Sequence, residues 1–365
     1  MKKLHLAFAG LAALAGTASA QTSLTIYGLA DAGIVRENGG PNGNLWKLGS
    51  GIQNGSRLGF KGTEDLGGGL AAKFVLEAGI NIDDGTSGQG TAAVPAGTPG
   101  FNARPATNRI FGRQAYVGLG GNWGNVTLGR QYTPHYLAVA EVDPFGAGLA
   151  GDAANFIPTV LRMDNTIKYT TPSWSGFTAD VAYGFGEVPD DNTARRQYGV
   201  SVGYANGPLL AKLAYHHIDG DFPEGAFPSL TTGGQAGIPL NEKSKTWFVG
   251  GKWDFGVAAA HLAYNSTKAE RTLAEDTRDW LIGVSAPFGP ATFLASYMRK
   301  DDRSDFNADS NQWALGLTYA LSKRTNLYTS YARINNDRDF SYTVGNASDR
   351  GTGDKQFNVG VRHVF

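Results

Sequence analysis

Apolar and polar positions alternate along most of the chain. Phe177, Ala179, Val181, Tyr183 and Phe185 fall on one face of an extended segment, with Thr178, Asp180, Ala182 and Gly184 on the other. The same period of two runs through Tyr198–Tyr204, Leu209–Tyr215, Ala258–Tyr264, Trp313–Tyr319 and Phe357–Phe365. Such alternation predicts β-strands with one apolar face and one small or polar face. A soluble sandwich would turn the apolar face inward. The aromatic residues, however, sit at the ends of the apolar stripes, as in Tyr198 with Tyr204 and Trp313 with Tyr319. A transmembrane barrel needs that placement, because rings settle at the two membrane interfaces with smaller aliphatics between them.

Connection lengths alternate as well. Short links at Asp65–Gly69, Gly120–Gly124, Asn206–Pro208, Asp254–Gly256, Pro287–Pro290 and Leu321–Arg324 separate long polar ones. The long links include Asn81–Asn108, Ile218–Glu242, Asp301–Ser310 and Asn335–Lys355. Short turns on one rim and long loops on the other fit an outer-membrane barrel. With the hairpin around Arg36–Asn44 and an insert from Gln131 to Arg162, sixteen strands are counted. That leaves about 22 residues per strand and connection, enough for strands of roughly 9–11 residues.

Composition narrows the alternatives. The chain has 365 residues with 51 glycines, 7 Trp, 15 Tyr and 19 Phe. So many glycines argue against a helical bundle. Lys plus Arg and Asp plus Glu are balanced at 32 each, which removes the electrostatic footprint of a nucleic-acid binder. Cysteine is absent, excluding disulfides, thiolate nucleophiles and thiolate metal sites. Lys2 and Lys3, the apolar run Leu4–Gly16 and Ala18-Ser19-Ala20 read as a cleaved export signal over residues 1–20. Residues 21–365 then form one domain, since a closed barrel has no internal boundary. No later stretch reads as a transmembrane helix, so a membrane crossing must be made by a barrel.

Several strings resemble the Gram-negative general porins, and most closely their betaproteobacterial subgroup. Ser56-Arg57-Leu58-Gly59-Phe60-Lys61-Gly62-Thr63-Glu64-Asp65-Leu66-Gly67-Gly68-Gly69 is similar to that family's second strand and periplasmic turn. Leu24–Gly28, Gly112–Leu119, Val126–Gln131 and Asp164–Tyr169 resemble further family strings in the same order. The ending Gly360-Val361-Arg362-His363-Val364-Phe365 resembles the family's assembly signal, with Phe365 read by the outer-membrane insertion machinery.

The resemblance implies a homotrimer of sixteen-stranded antiparallel barrels in the outer membrane, surrounded by lipid and lipopolysaccharide. It also implies a third long loop that folds inward to constrict the pore. Gln131–Arg162 occupies that loop's position, and Asp143-Pro144-Phe145-Gly146 resembles its tip, although here the acid precedes the Pro. By position in the matching strings, Arg57, Arg113 and Arg162 line a basic wall, with Arg130 a weaker addition. Glu141, Asp143 and Asp152 are the loop carboxylates expected to face it.

These residue types suit a pore on physical grounds. A wet lumen holds charges without the penalty of dry burial. Arginine keeps its charge at any working pH, and opposed carboxylates would set up a transverse field on passing solutes. Arg57 or Arg113 could equally tie the loop to the wall through salt bridges. The expected function is passive diffusion of ions and small hydrophilic solutes, with a substrate-selective porin as the alternative. No cofactor or metal is implied. No G-x-S-x-G elbow or H-E-x-x-H helix occurs, so the chain is read as a non-enzyme.

Overall fold

The computed structural model describes residues 23–40, 43–89, 109–219, 243–269, 275–304, 307–337, 342–346, 348–349 and 351–365. The expected export signal lies outside them. The first half of the sheet contains β1 (Ser23–Gly40), β2 (Gly43–Ser50), β3 (Arg57–Gly67), β4 (Leu70–Gly79), β5 (Gln114–Gly121), β6 (Gly124–Tyr132), β7 (Arg162–Met163), β8 (Thr166–Thr170) and β9 (Phe177–Gly184). The second half contains β10 (Gln197–Asn206), β11 (Leu209–Asp219), β12 (Lys243–Asp254), β13 (Ala259–Ala269), β14 (Glu275–Phe288), β15 (Ala291–Asp302), β16 (Ser310–Ala320), β17 (Thr325–Asn336) and β18 (Lys355–Val364).

Each strand pairs antiparallel with its neighbours, and the sheet closes where Leu29–Asn38 of β1 meets Lys355–Val364 of β18. The eighteen segments make sixteen barrel strands. β2 and β3 lie in succession along β1, and β7 and β8 in succession along β6. Between β2 and β3 the chain leaves the sheet over Gly51–Ser56 and wraps the Asp31 carboxylate. The N–H groups of Gln53 and Asn54 donate to Asp31 Oδ2 at 2.7 and 2.6 Å, and the Tyr328 hydroxyl donates to Oδ1 at 2.6 Å. Alternation does not reveal this excursion, because its Gly-rich sequence reads only as a turn.

The outward face is apolar and exposed. On β12 it carries Trp247, Val249, Gly251 and Trp253, placing two indoles about 20 Å apart along the strand. Rings meet across neighbouring strands. Tyr215 lies 4.4 Å from Trp247, Tyr264 4.5 Å from Trp280, and Trp313 5.2 Å from Tyr331, centroid to centroid. Trp123, Tyr169, Phe177 and Tyr204 gather beside the short turns at the other end. An exposed apolar band between two aromatic belts is the surface that a lipid bilayer covers.

The opposite face carries Thr246, Asn265, Asp279, Gln312, Ser330 and Asn358, all buried. Residues 133–161 cover it. Thr133 caps α1 (Pro134–Val142), its hydroxyl accepting the Tyr136 N–H at 3.0 Å, with Pro134 at the first helical position. The buried Ala138, Val139 and Val142 join Phe248, Ala263, Leu281 and Met298 of the wall in one apolar cluster. Two wall glycines make room for the turn that follows the helix. A Cβ at Gly283 would lie 2.6 Å from Pro144 Cγ, and one at Gly316 would lie 2.8 Å from Phe145 Cε1. The Ala150 N–H then donates to Ser330 Oγ at 3.1 Å, and Asn155 Nδ2 donates to Gln312 Oε1 at 2.8 Å.

Candidate functional site

Arg57 opens β3, Arg113 immediately precedes β5, and Arg162 opens β7, so three neighbouring parts of the wall each contribute a guanidinium. They converge on two acceptors. Glu77, on the inner face of β4, accepts Arg113 Nε at 2.9 Å on Oε1 and the Tyr27 hydroxyl at 3.0 Å on Oε2, with Arg57 Nη1 at 3.9 Å from Oε2. The Tyr132 hydroxyl accepts Arg113 Nη2 at 2.6 Å and Arg162 Nη2 at 3.1 Å. The Arg162 guanidinium also lies over the Tyr132 ring, 4.6 Å from its centroid, and Tyr136 stacks beside that ring at 5.3 Å. Arg57 Nε donates to the Gly55 carbonyl at 2.9 Å, using backbone that the Gly51–Ser56 excursion presents. All three arginines line one open pocket, together with Asn54, Gln89 and Ser348.

The loop carboxylates are placed differently from the expectation that they face this wall. Asp143 is buried and accepts three backbone N–H groups, from Phe145 at 3.0 Å, Ala147 at 2.9 Å and Ala153 at 3.1 Å. Asp152, also buried, caps the 3₁₀ turn Ala153–Asn155 by accepting the Ala154 N–H at 2.8 Å. Removal from water pushes both carboxyl groups above the ordinary Asp range, and the charge of Asp143 pushes Asp152 further, to about 8. Both therefore pin the loop's own backbone. Glu141 is half exposed and pairs with Lys212 of β11, Nζ to Oε2 at 2.8 Å, away from the arginines. Arg130 pairs with Asp164 and donates to the Gly112 carbonyl at 2.6 Å, bracing β6 against the turn before β8.

The structure thus brings together Arg57, Arg113 and Arg162, holds Asp143 and Asp152 on the loop's own backbone, and pairs Arg130 with Asp164 and Glu141 with Lys212. Sequence reasoning missed Glu77 and Tyr132. Glu77 carried a weak signal, as the one carboxylate in a strand, Leu70–Gly79, that is otherwise apolar or small apart from Lys73. Tyr132 carried none, because its role depends on pairing across the sheet with Arg162.

The profile of the Gram-negative porin family matches residues 7–339. The chain belongs to the Gram-negative porin family. An outer membrane porin protein of Bordetella pertussis is 34% identical over 297 residues, covering 73% of this chain and 70% of the relative. Outer membrane porin protein 32 of Delftia acidovorans is 34% identical over 286 residues, covering 75% and 72%. The solved anion-selective porin from Comamonas acidovorans superposes with a TM-score of 0.75 at 30% identity, covering 94% of this chain and all of that one. This porin is therefore an outer-membrane transport barrel whose exposed apolar band faces lipid and whose inner face carries the arginine cluster.

Proposed function

We propose that this porin is a general diffusion channel for ions and small hydrophilic solutes, with a preference for anions set by Arg57, Arg113 and Arg162. The observation that carries the reading is the charge balance at the cluster. The cluster holds three guanidiniums and one carboxylate, Glu77, which pairs with Arg113 and Arg57, while Asp143 and Asp152 are enclosed in the loop and Glu141 is matched by Lys212. Net positive charge beside an open pocket raises the local concentration of anions and disfavours cations. The Comamonas relative's description as anion-selective supports the same sign. In this reading residues 133–161 narrow the lumen opposite the cluster, three copies assemble as a homotrimer within lipid and lipopolysaccharide, and Phe365 serves as the signal to the insertion machinery.

The test is a planar bilayer carrying the purified protein under a salt gradient. A reversal potential of anion-preferring sign, with conductance steps in groups of three that grow linearly with salt, is expected. A cation-preferring sign would overturn the assignment of the cluster. Conductance that saturates with one solute would instead indicate a substrate-selective channel.

A further inference from the structure

We propose that Tyr132 is the positioning residue of this porin's selectivity, holding Arg113 and Arg162 together at the neck of the loop. The inference rests on the anion-preferring reading above and adds to it the device that fixes the charges in space.

Guanidinium groups repel one another, so a cluster of them disperses unless acceptors gather it. Glu77 accounts for Arg113 and Arg57 and makes no hydrogen bond to Arg162. What joins Arg162 to the others is the phenol oxygen of Tyr132, whose two lone pairs are both used, one by Arg113 Nη2 and one by Arg162 Nη2. The ring supplies a second attraction, its π face lying under the Arg162 guanidinium. Arg162 Nε is buried without a hydrogen-bond partner, so the contacts with Tyr132 are the polar anchors of that side chain.

Tyr132 also stands where the loop leaves the wall. It pairs across the sheet with Arg162 in the last rung before the chain departs, and the next residue, Thr133, closes the neck. The Thr133 N–H donates to the Leu161 carbonyl at 3.0 Å, and its hydroxyl donates to the Val160 carbonyl at 2.5 Å. Tyr136, one turn into α1, stacks on the same ring. A single phenol therefore connects the fixed wall at Arg113 with both ends of the loop. Loss of its oxygen leaves the packing of the ring intact but frees two charges to separate, weakening the field at the pocket without changing the net charge.

Tyr132→Phe tests this directly, because Phe keeps the stack and the cation–π contact. The expected result is a folded protein whose anion-to-cation permeability ratio is lowered by about twofold or more. A purely structural role for Tyr132 would change conductance and stability together and leave the ratio in place. Arg162→Lys examines the same bond from its other end. It keeps the charge but not the planar fork, so positioning predicts a lowered ratio where charge alone predicts none. If the wild type shows no anion preference, the functional reading fails. If the wild type prefers anions and both variants match its ratio, the inference about Tyr132 is overturned and the reading stands. If Tyr132→Phe does not fold, the ratio in Arg162→Lys decides.

Discussion

The backbones of Gly28 and Phe365 exchange two hydrogen bonds of 3.0 Å, each residue's N–H donating to the other's carbonyl. The Phe365 ring covers the glycine so closely that a Cβ there would lie 2.2 Å from Cζ. This contact ends the β1–β18 seam that closes the barrel. Deleting Phe365 removes both hydrogen bonds, together worth about 2 kcal/mol net. Gly28→Val attacks the same contact from the other strand by pushing the ring away. Both variants should give less folded, heat-resistant protein than the wild type on unheated gels. Wild-type yields from both would show that the seam closes without this contact.

The wall was legible in the sequence because strands facing lipid carry their own record of alternation, as Trp313, Leu315, Leu317 and Tyr319 do on β16. The interior was legible only in part. Asp143 and Asp152 read as carboxylates facing the arginines because the family resemblance places them in the constricting loop. Each instead closes a local turn, a habit of Asp that Asp143-Pro144-Phe145-Gly146 already displays. The Glu141–Lys212 pair follows from where α1 lies against β11, and the meeting of Arg113 with Arg162 at Tyr132 from strand register. Neither relation has a trace in local spacing.

The Asp143 side chain organises the loop tip by accepting from Phe145, Ala147 and Ala153. Asp143→Ala leaves three N–H groups without this acceptor, at about 1–3 kcal/mol for each that stays buried and unpaired. The tip, and with it Phe145 against Gly316, should lose its fixed position. Single-channel records are expected to show frequent sublevels, and Asp143→Asn, which keeps acceptor oxygen, should show fewer. Records as quiet as those of the wild type in Asp143→Ala would count against this role.

Asp152 gives the loop a pH dependence whose sign follows from its raised proton affinity. Burial, then the neighbouring Asp143 charge, lifts its carboxyl to about 8, against about 3.9 in an unfolded chain. The folded loop therefore binds the proton more tightly than the unfolded chain does. The associated stability is fully present below the unfolded value and is lost as pH rises through about 8. The thermal transition should fall between about pH 4 and 8 and level off above that, and current noise should rise as the folded loop deprotonates near pH 8. Asp152→Asn keeps an acceptor for the Ala154 N–H and should flatten both profiles. A pH dependence unchanged in Asp152→Asn would assign the effect to another group.

Glu77 is the counter-charge of the arginine cluster, so its neutralisation separates selectivity from stability. Glu77→Gln keeps the size of the side chain and one carbonyl oxygen for the Tyr27 hydroxyl or Arg113, but removes the negative charge those arginines share. The field at the pocket becomes more positive, and the reversal potential should move further in the anion-preferring direction. Stability should move the other way, because breaking a buried ion pair from one side costs about 3–5 kcal/mol. Arg113 and Glu77 are both almost fully buried, so solvent offers little compensation. Arg57 is more open to the pocket and loses only a 3.9 Å contact, so it should tolerate the change better. The combination expected is fewer folded channels, each more anion-preferring. A reversal potential that stayed at the wild-type value in those channels would mean that the charge of Glu77 is not felt by ions in transit, and that the arginines act on permeation through shape alone.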